Sequence, residues 1–197
     1  VRVFREVPVL PVVVPLGAVV LGLLLWRLHR SGRLTLPRAA VALALAVYAA
    51  GVVANTVFPI FLDKPVSSAA WDAHLVLVPL VDYEVADAVM NVLVFVPLGM
   101  LLPLLLARPS WWRVVLTAAA FSLAIEVPQY VPSHLLGGGH IADASDLLFN
   151  VVGGALGLGL FTVLCRVPAL DAFFDRFRWS PAPRPRGARA AGPAGRR

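Results

Sequence analysis

The sequence predicts an all-α integral membrane protein: a bundle of five transmembrane helices, with the N-terminus outside the cell and the C-terminus cytoplasmic. The first observation is composition, since 59% of the 197 residues are hydrophobic, only 14% are charged, and the mean hydropathy is +0.83. Soluble domains are about half apolar and about a quarter charged. The second is a series of apolar runs long enough to cross a hydrocarbon core of ~30 Å. The third is that basic residues gather at alternate ends of these runs.

The first two spans are predicted at residues 7–26 and 39–61. Three prolines near the start of the first span predict kinked or unwound outer turns. This span is expected to be retained, because the positive charge follows it and no small-residue cleavage site is present. In the second span Ala46, Ala50 and Ala54 recur every four residues. This small face favours close helix packing in lipid.

Three further spans are predicted at residues 88–107, 114–131 and 143–164. The longest segment between spans, residues 62–87, precedes them. Its middle, residues 71–80, is too apolar for an ordinary loop and too short to cross a bilayer. We therefore expect an interfacial or re-entrant piece there.

The arginines predict the orientation. All but three of the 17 basic residues follow the first, third or fifth span, and the exceptions are Arg2, Arg5 and Lys64. Because cytoplasmic loops carry the excess of Lys and Arg, these ends are predicted to be cytoplasmic. Placement at span ends does not indicate nucleic-acid binding. Lys64 is the only lysine, and such arginine-rich usage is typical of a GC-rich bacterial genome, so we expect a multi-pass protein of the bacterial cytoplasmic membrane.

Two parts of the chain are predicted. Residues 1–165 form the transmembrane helical domain, and residues 166–197 form a basic cytoplasmic tail. Within the tail, residues 169–179 have apolar side chains at helical spacing, which predicts a short helix on the membrane surface. The remainder is rich in Pro, Gly and Ala and is predicted to be disordered at least from Ser180.

Six polar side chains are expected to share one layer near the outer surface. They are Asn91, Glu126, Gln129, Asp143, Asp146 and Asn150. Glu126 lies about 18–20 Å along the fourth span from its cytoplasmic end, and Gln129 is one turn further on the same face. The three on the fifth span are spaced i, i+3 and i+7, again on one face. A carboxylate inside a membrane costs about 2.5–3.5 kcal/mol, so it is expected to have a partner or a task.

Three interpretations of this layer stay open. The polar groups could only stabilise the bundle, each contributing about 0.6–2 kcal/mol. They could form a binding or catalytic site open to the outside, with Glu126 as base or cation partner and Asp143 and Asp146 as co-ligands. The amides would then orient these carboxylates. A proton or ion pathway is the third interpretation, and the lack of polar groups in the inner half of the spans disfavours it.

No cofactor and no metal site are predicted. Three histidines fall on the outer side, but the sequence has no HExxH motif and no close histidine pair. In the fifth span Gly153 and Gly157 form a GxxxG step, with Gly154 and Gly159 widening it. This pattern favours close helix packing rather than a ligand site.

Three motifs resemble those of the VanZ-like family of bacterial membrane proteins. Residues 87–102 follow D-x-x-x-N-x-x-x-F-x-P-x-G, and residues 126–129 follow E-x-x-Q. Residues 139–153 follow G-R-x-x-D-x-x-D-x-x-x-N-x-x-G, except that His140 stands where the pattern has arginine. The family-like core covers about residues 87–160.

The resemblance implies a link to glycopeptide resistance, because the member that names the family is associated with resistance to teicoplanin. The expected partners are membrane lipids or a cell-envelope precursor, recognised or modified at the polar layer. His140, counted among the binding residues, could pair with an anion only when protonated. The alternative is a non-enzymatic scaffold whose buried polar residues only stabilise helix packing. The sequence leaves open whether the protein is an enzyme and which oligomeric state it adopts.

Overall fold

The computed structural model describes residues 5–62, 75–81, 83–135 and 142–180, with the backbone alone for 127–135 and 142. The described residues form the helices α1 (Leu10–Arg30), α2 (Leu36–Thr56), α3 (Val85–Leu105), α4 (Trp111–Leu135), α5 (Ala144–Leu164) and α6 (Pro168–Asp175). Two short strands, β1 (Leu75–Val76) and β2 (Ala142–Asp143), pair in parallel.

Four of these helices, α1, α2, α3 and α5, are long and apolar enough to cross a membrane, judged by length and composition over the described residues. The prediction of a helical membrane protein is therefore confirmed. Helix α4 has 25 residues and is not one of the four, and its side chains are described only up to Glu126. The fifth span and the orientation stay predictions.

The ends of several helices differ from the predicted ones, and α2 ends at Thr56 instead of residue 61. Helix α1 begins at Leu10, so residues 7–9 are not helical, and the Val7 N–H donates to the Ile60 carbonyl at 2.9 Å. Helix α4 continues through two prolines to Leu135, so the prediction that it closes at residue 131 was wrong. A proline removes one backbone hydrogen bond, and packing against neighbouring helices lets a membrane helix continue past it.

The backbones of α3 and α5 touch. A Cβ atom added to Gly157 would lie 2.1 Å from the carbonyl oxygen of Val96, and one added to Gly99 would lie 2.1 Å from that of Gly154. A Cβ atom added to Gly153 would lie 2.3 Å from the carbonyl oxygen of Val92 on α3. Only glycine allows this approach, so the predicted close packing of the GxxxG step is confirmed.

The wider glycine surface is only partly as predicted. A Cβ on Gly154 would lie 2.8 Å from the Cβ of Ala118, so this glycine brings α5 against α4. Gly159 has no such neighbour within 4 Å and does not belong to the packing surface, contrary to the prediction. The alanine face of α2 packs against α1 as predicted. A Cβ atom added to Gly17 of α1 would lie 3.3 Å from the Cβ of Ala50.

One end of the bundle, which we call the basic end (residues 27–38, 104–113 and 164–180), is closed by the segment after α5. The Trp179 N–H donates to the Leu104 carbonyl at 2.8 Å, and Arg33 Nη1 donates to the Trp179 carbonyl at 3.2 Å. Trp179 is only 8% exposed. Helix α6 lies where a short helix is predicted and packs Phe174 on Phe161, with ring centroids 5.1 Å apart. The tail predicted to be disordered lies outside the described residues from 181 onward.

These contacts bring together the turn after α1, the end of α3 and the segment after α5. The opposite end, which we call the acidic end (residues 5–10, 56–62, 75–81, 83–91 and 142–146), contains the start of α1, the end of α2 and the starts of α3 and α5. The five long helices therefore run alternately between a basic end and an acidic end.

Candidate functional site

A cavity of about 540 Å³ lies between α2, α3, α4 and α5, in the half of the bundle nearer the acidic end. Its walls are mainly apolar and include Val52, Phe95 and Ile125. Four of the sequence-predicted residues line it. They are Asn91, Glu126, Asp146 and Asn150.

Glu126 is almost fully enclosed, with 9% of its surface exposed. The backbone N–H of Asp143 donates to the Glu126 carboxylate, and this hydrogen bond ties α4 to the start of α5. The second oxygen, Oε2, is buried and has no hydrogen-bond partner among the described residues. A buried polar atom without a partner costs about 1–3 kcal/mol, so this oxygen needs an explanation.

Asp146 is held by a polar triad with Tyr83 and Asn91. The Tyr83 hydroxyl donates to Asp146 Oδ1, and Asn91 Nδ2 donates to the same oxygen at 2.5 Å and to the Tyr83 oxygen at 2.7 Å. The Tyr83 ring stacks on Phe149 with centroids 5.3 Å apart. Burial, and then the neighbouring Asp146 carboxylate, raise the pKa of Tyr83 above its ordinary value. The phenol therefore stays protonated and remains a donor to Asp146.

Asp143 lies one residue before α5 and is the N-cap of this helix. Its backbone is extended, with φ −119° and ψ 127°, and it caps α5, accepting a hydrogen bond from the Ser145 N–H at 2.7 Å. The fifth span was predicted to begin at Asp143, whereas the helix begins one residue later, because Asp is a preferred N-cap residue. Ser145 is fully buried and accepts a hydrogen bond from the Leu80 N–H at 3.0 Å.

Asp143 instead lines a second cavity of about 550 Å³ at the acidic end. Glu84 and Asp87 also line it, and Asn91 and Asp146 line both cavities, so the two adjoin. Among the described residues no group of three or more His, Cys, Asp or Glu side chains could hold a metal ion.

Asn150 links α5 to α4 deep in the bundle. Its Nδ2 donates to Ser122 Oγ at 2.9 Å, and the two residues are 4% and 0% exposed. Its Oδ1 is buried and has no partner among the described residues, and the same is true of the Tyr48 hydroxyl. Together with Glu126 Oε2, three unpaired buried atoms belong to residues lining the first cavity.

Two of the predicted binding residues cannot be placed. The side chain of Gln129 and the whole of His140 lie outside the described residues, as do the side chains of the other two outer-side histidines. Their roles, and those of the placed residues, stay predictions.

Sequence reasoning missed several contributors to the site. Ser122 lies four residues before Glu126 and therefore on the same face of α4, which was a usable signal. Tyr48 and Asn55, seven residues apart on α2, both line the cavity, and this spacing also places them on one face. Tyr83 precedes α3 in an irregular segment, so no periodicity indicated it.

Comparison with known proteins identifies the family. The family model VanZ/LLP1 matches residues 45–165, which is more than half of the chain and includes the four cavity residues predicted from sequence. Searches of curated proteins and of solved structures gave no match. The match also covers the three motifs quoted above, and the chain belongs to the VanZ/LLP1 family.

Proposed function

We propose that this protein spans the bacterial cytoplasmic membrane with five helices and recognises the polar head of a cell-envelope lipid or precursor in its first cavity. The acidic end faces outward and the basic end faces the cytoplasm. Helix α4 provides the fifth span, because its 25 residues extend about 37 Å and run between the same two ends as the other four. The arginines of the basic end support this orientation.

One observation carries the proposal: three buried polar atoms without described partners belong to the lining of a single cavity. They are Tyr48 Oη, Glu126 Oε2 and Asn150 Oδ1. Each such atom costs about 1–3 kcal/mol if it stays unpaired, so their convergence favours a site that a ligand completes. A scaffold would be expected to pair its buried polar atoms, as Asn150 Nδ2 is paired with Ser122.

The shape of the cavity fits an amphiphile. Its walls are mostly apolar, whereas its polar groups come from a few side chains of α2, α3, α4 and α5. Exposed lining residues occur on neighbouring helices, Gly51 and Asn55 on α2 and Met90, 59% exposed, on α3. A lipid could therefore enter sideways from the membrane with its chain along the apolar wall.

Gly51→Leu tests lipid recognition with little risk to the fold. Gly51 lines the cavity, and a Cβ there meets no other atom within 4 Å, so a leucine should occupy space that the ligand needs. Leucine also favours a helix over glycine by up to about 1 kcal/mol. We expect several-fold less co-purifying lipid, measured by mass spectrometry of extracts from the purified protein.

Gly22→Leu is the matched control, because Gly22 also has nothing within 4 Å of its added Cβ and does not line the cavity. It should leave the lipid content unchanged. Equal lipid content in the wild type and both variants would contradict recognition in this cavity and favour the scaffold.

The proposed link to glycopeptide resistance needs a cellular test. Cells producing the wild-type protein should show a higher inhibitory concentration of teicoplanin than cells producing Glu126→Gln, with Glu6→Gln, an exposed residue outside the cavity, as the charge-matched control. An inhibitory concentration that is the same with and without the protein would set this link aside and leave the lipid measurement as the test of recognition.

A further inference from the structure

We infer that the headgroup this cavity binds is an ammonium group carried on an apolar chain, and not a phosphate. The inference rests on the proposed lipid recognition and adds the chemical class of the head. The inference depends on which cavity atoms lack partners within the described part of the chain, and on the charges that face the cavity.

The atoms that lack partners among the described residues call for hydrogen-bond donors. The ionised carboxylate of Glu126 and the amide oxygen of Asn150 only accept hydrogen bonds, and Tyr48 Oη can accept or donate. Glu126 and Asn150 are 9% and 4% exposed, so bulk water does not solvate them freely. A primary ammonium presents three donors from one atom and could satisfy this set. A phosphate presents acceptors to atoms that already accept.

The charges agree with the hydrogen-bond pattern. Glu126 and Asp146 bring two carboxylates to the cavity, and its described lining contains no Lys, Arg or His. Asp146 Oδ1 already receives hydrogen bonds from Tyr83 and Asn91, whereas Glu126 Oε2 receives none from the described residues. Like charges at contact distance repel, so a phosphate beside an ionised Glu126 is disfavoured.

The walls suit a cation on an apolar chain. Tyr48 and Phe95 line the cavity, and aromatic faces attract an ammonium within about 6 Å of the ring centroid. Val52, Val94 and Ile125 provide the apolar surface for the attached chain. An ammonium without such a chain would leave this surface uncovered.

Three probes separate the possibilities with purified protein in maltoside micelles or nanodiscs. Dodecylammonium carries both features, dodecyl phosphate replaces the cation with an anion, and methylammonium removes the chain. We expect saturable binding of dodecylammonium by calorimetry, at least tenfold tighter than binding of the other two. Comparable binding of methylammonium would show that a free amine suffices, and would overturn the requirement for an apolar chain.

Variants locate the binding. Glu126→Gln should weaken dodecylammonium binding at least tenfold, and Glu6→Gln, which removes the same charge from an exposed site, should not. If Glu126→Gln does not fold, Tyr48→Phe removes only a hydroxyl that has no partner among the described residues, and it should weaken binding several-fold. Equal weakening by Glu6→Gln would show that the amphiphile is attracted by overall charge, and would overturn the inference.

The outcomes separate this inference from the proposed function. If dodecyl phosphate binds as tightly as dodecylammonium and Gly51→Leu blocks both, the ammonium assignment is wrong and lipid recognition stands. If no probe binds the wild type more tightly than Gly51→Leu, and the two retain equal lipid, both fail.

Discussion

Between α3 and α5 the backbones touch, whereas α2 lies far enough from α3 and α4 to leave a cavity of about 540 Å³. Glycine occurs on both sides of this contrast with opposite consequences. Gly157 has a carbonyl oxygen 2.1 Å from where a Cβ would be, and Gly51 has nothing within 4 Å. The first glycine is required by packing, and the second leaves space open.

The contrast shows how the fold can hold a site open. Asn91 lies on α3 and Asp146 on α5, so the tightest helix contact of the bundle fixes the two partners that form the triad with Tyr83. The α2 side then does not have to be packed closely to position these groups. Stability and ligand space therefore come from different helix pairs, and this separation can be tested by mutation.

The largest expected effect is from adding one methyl group where α3 meets α5. Gly157→Ala places a Cβ against the Val96 backbone, which cannot move without shifting α3. Overpacking costs about 1–3 kcal/mol and occasionally more, and contact with backbone favours the upper end, about 3 kcal/mol. Thermal unfolding of the detergent-purified protein measures it. Gly159→Ala, two residues along the same helix, is the control and should be neutral or stabilising by up to about 1 kcal/mol. Equal melting temperatures for the two variants would contradict close packing at Gly157.

An intermediate loss of stability is expected from breaking the hydrogen bond between Asn150 of α5 and Ser122 of α4. Ser122→Ala removes the acceptor of Asn150 Nδ2 and leaves a buried donor unpaired, at a cost of about 2 kcal/mol. Adding Asn150→Leu should recover most of that stability, because replacing both partners with apolar groups can be nearly neutral. Denaturation of the two single variants and the double variant measures this.

The same double variant distinguishes a site from a scaffold. Asn150→Leu also removes the unpaired Oδ1 from the cavity. If the polar groups form a binding site, the double variant should be stable and yet retain several-fold less lipid. Recovery of both stability and lipid content would instead indicate that these side chains serve only packing.

The features that sequence predicted well are those with local periodicity. Apolar runs located the helices within a few residues, and the GxxxG step located the closely packed face of α5, since each pattern repeats with the helix itself. Asn91, Glu126, Asp146 and Asn150 were each identified because a polar group in an apolar helix is conspicuous. The structure brings all four to one cavity, although what they do there stays a prediction.

The features that sequence missed depend on contacts distant along the chain. Tyr83 and Asp146 are 63 residues apart, and β1 joins β2 across a similar distance. Asp143 was assigned to the fifth span itself because a carboxylate at a helix start can either cap the helix or belong to its first turn, and only the backbone distinguishes the two. No sequence pattern predicts which buried atoms stay unpaired, since that depends on how four helices meet.

The smallest expected effect concerns the triad beside the α3–α5 contact. Tyr83→Phe removes one donor to Asp146, and because Asn91 still donates to the same oxygen we expect the free energy of unfolding to fall by about 1 kcal/mol.

This loss of stability should depend on pH. The folded pKa of Tyr83 is raised above the ordinary value of 10, so its contribution is fully present below pH 10 and is lost as the pH rises toward the folded pKa. The difference in melting temperature between the wild type and Tyr83→Phe should therefore shrink from pH 9 to pH 11. Other tyrosines are common to both proteins and cancel in this difference. A gap that stays constant over this range would show that the Tyr83 hydroxyl is not the protonated donor to Asp146, and that Asn91 alone holds the carboxylate.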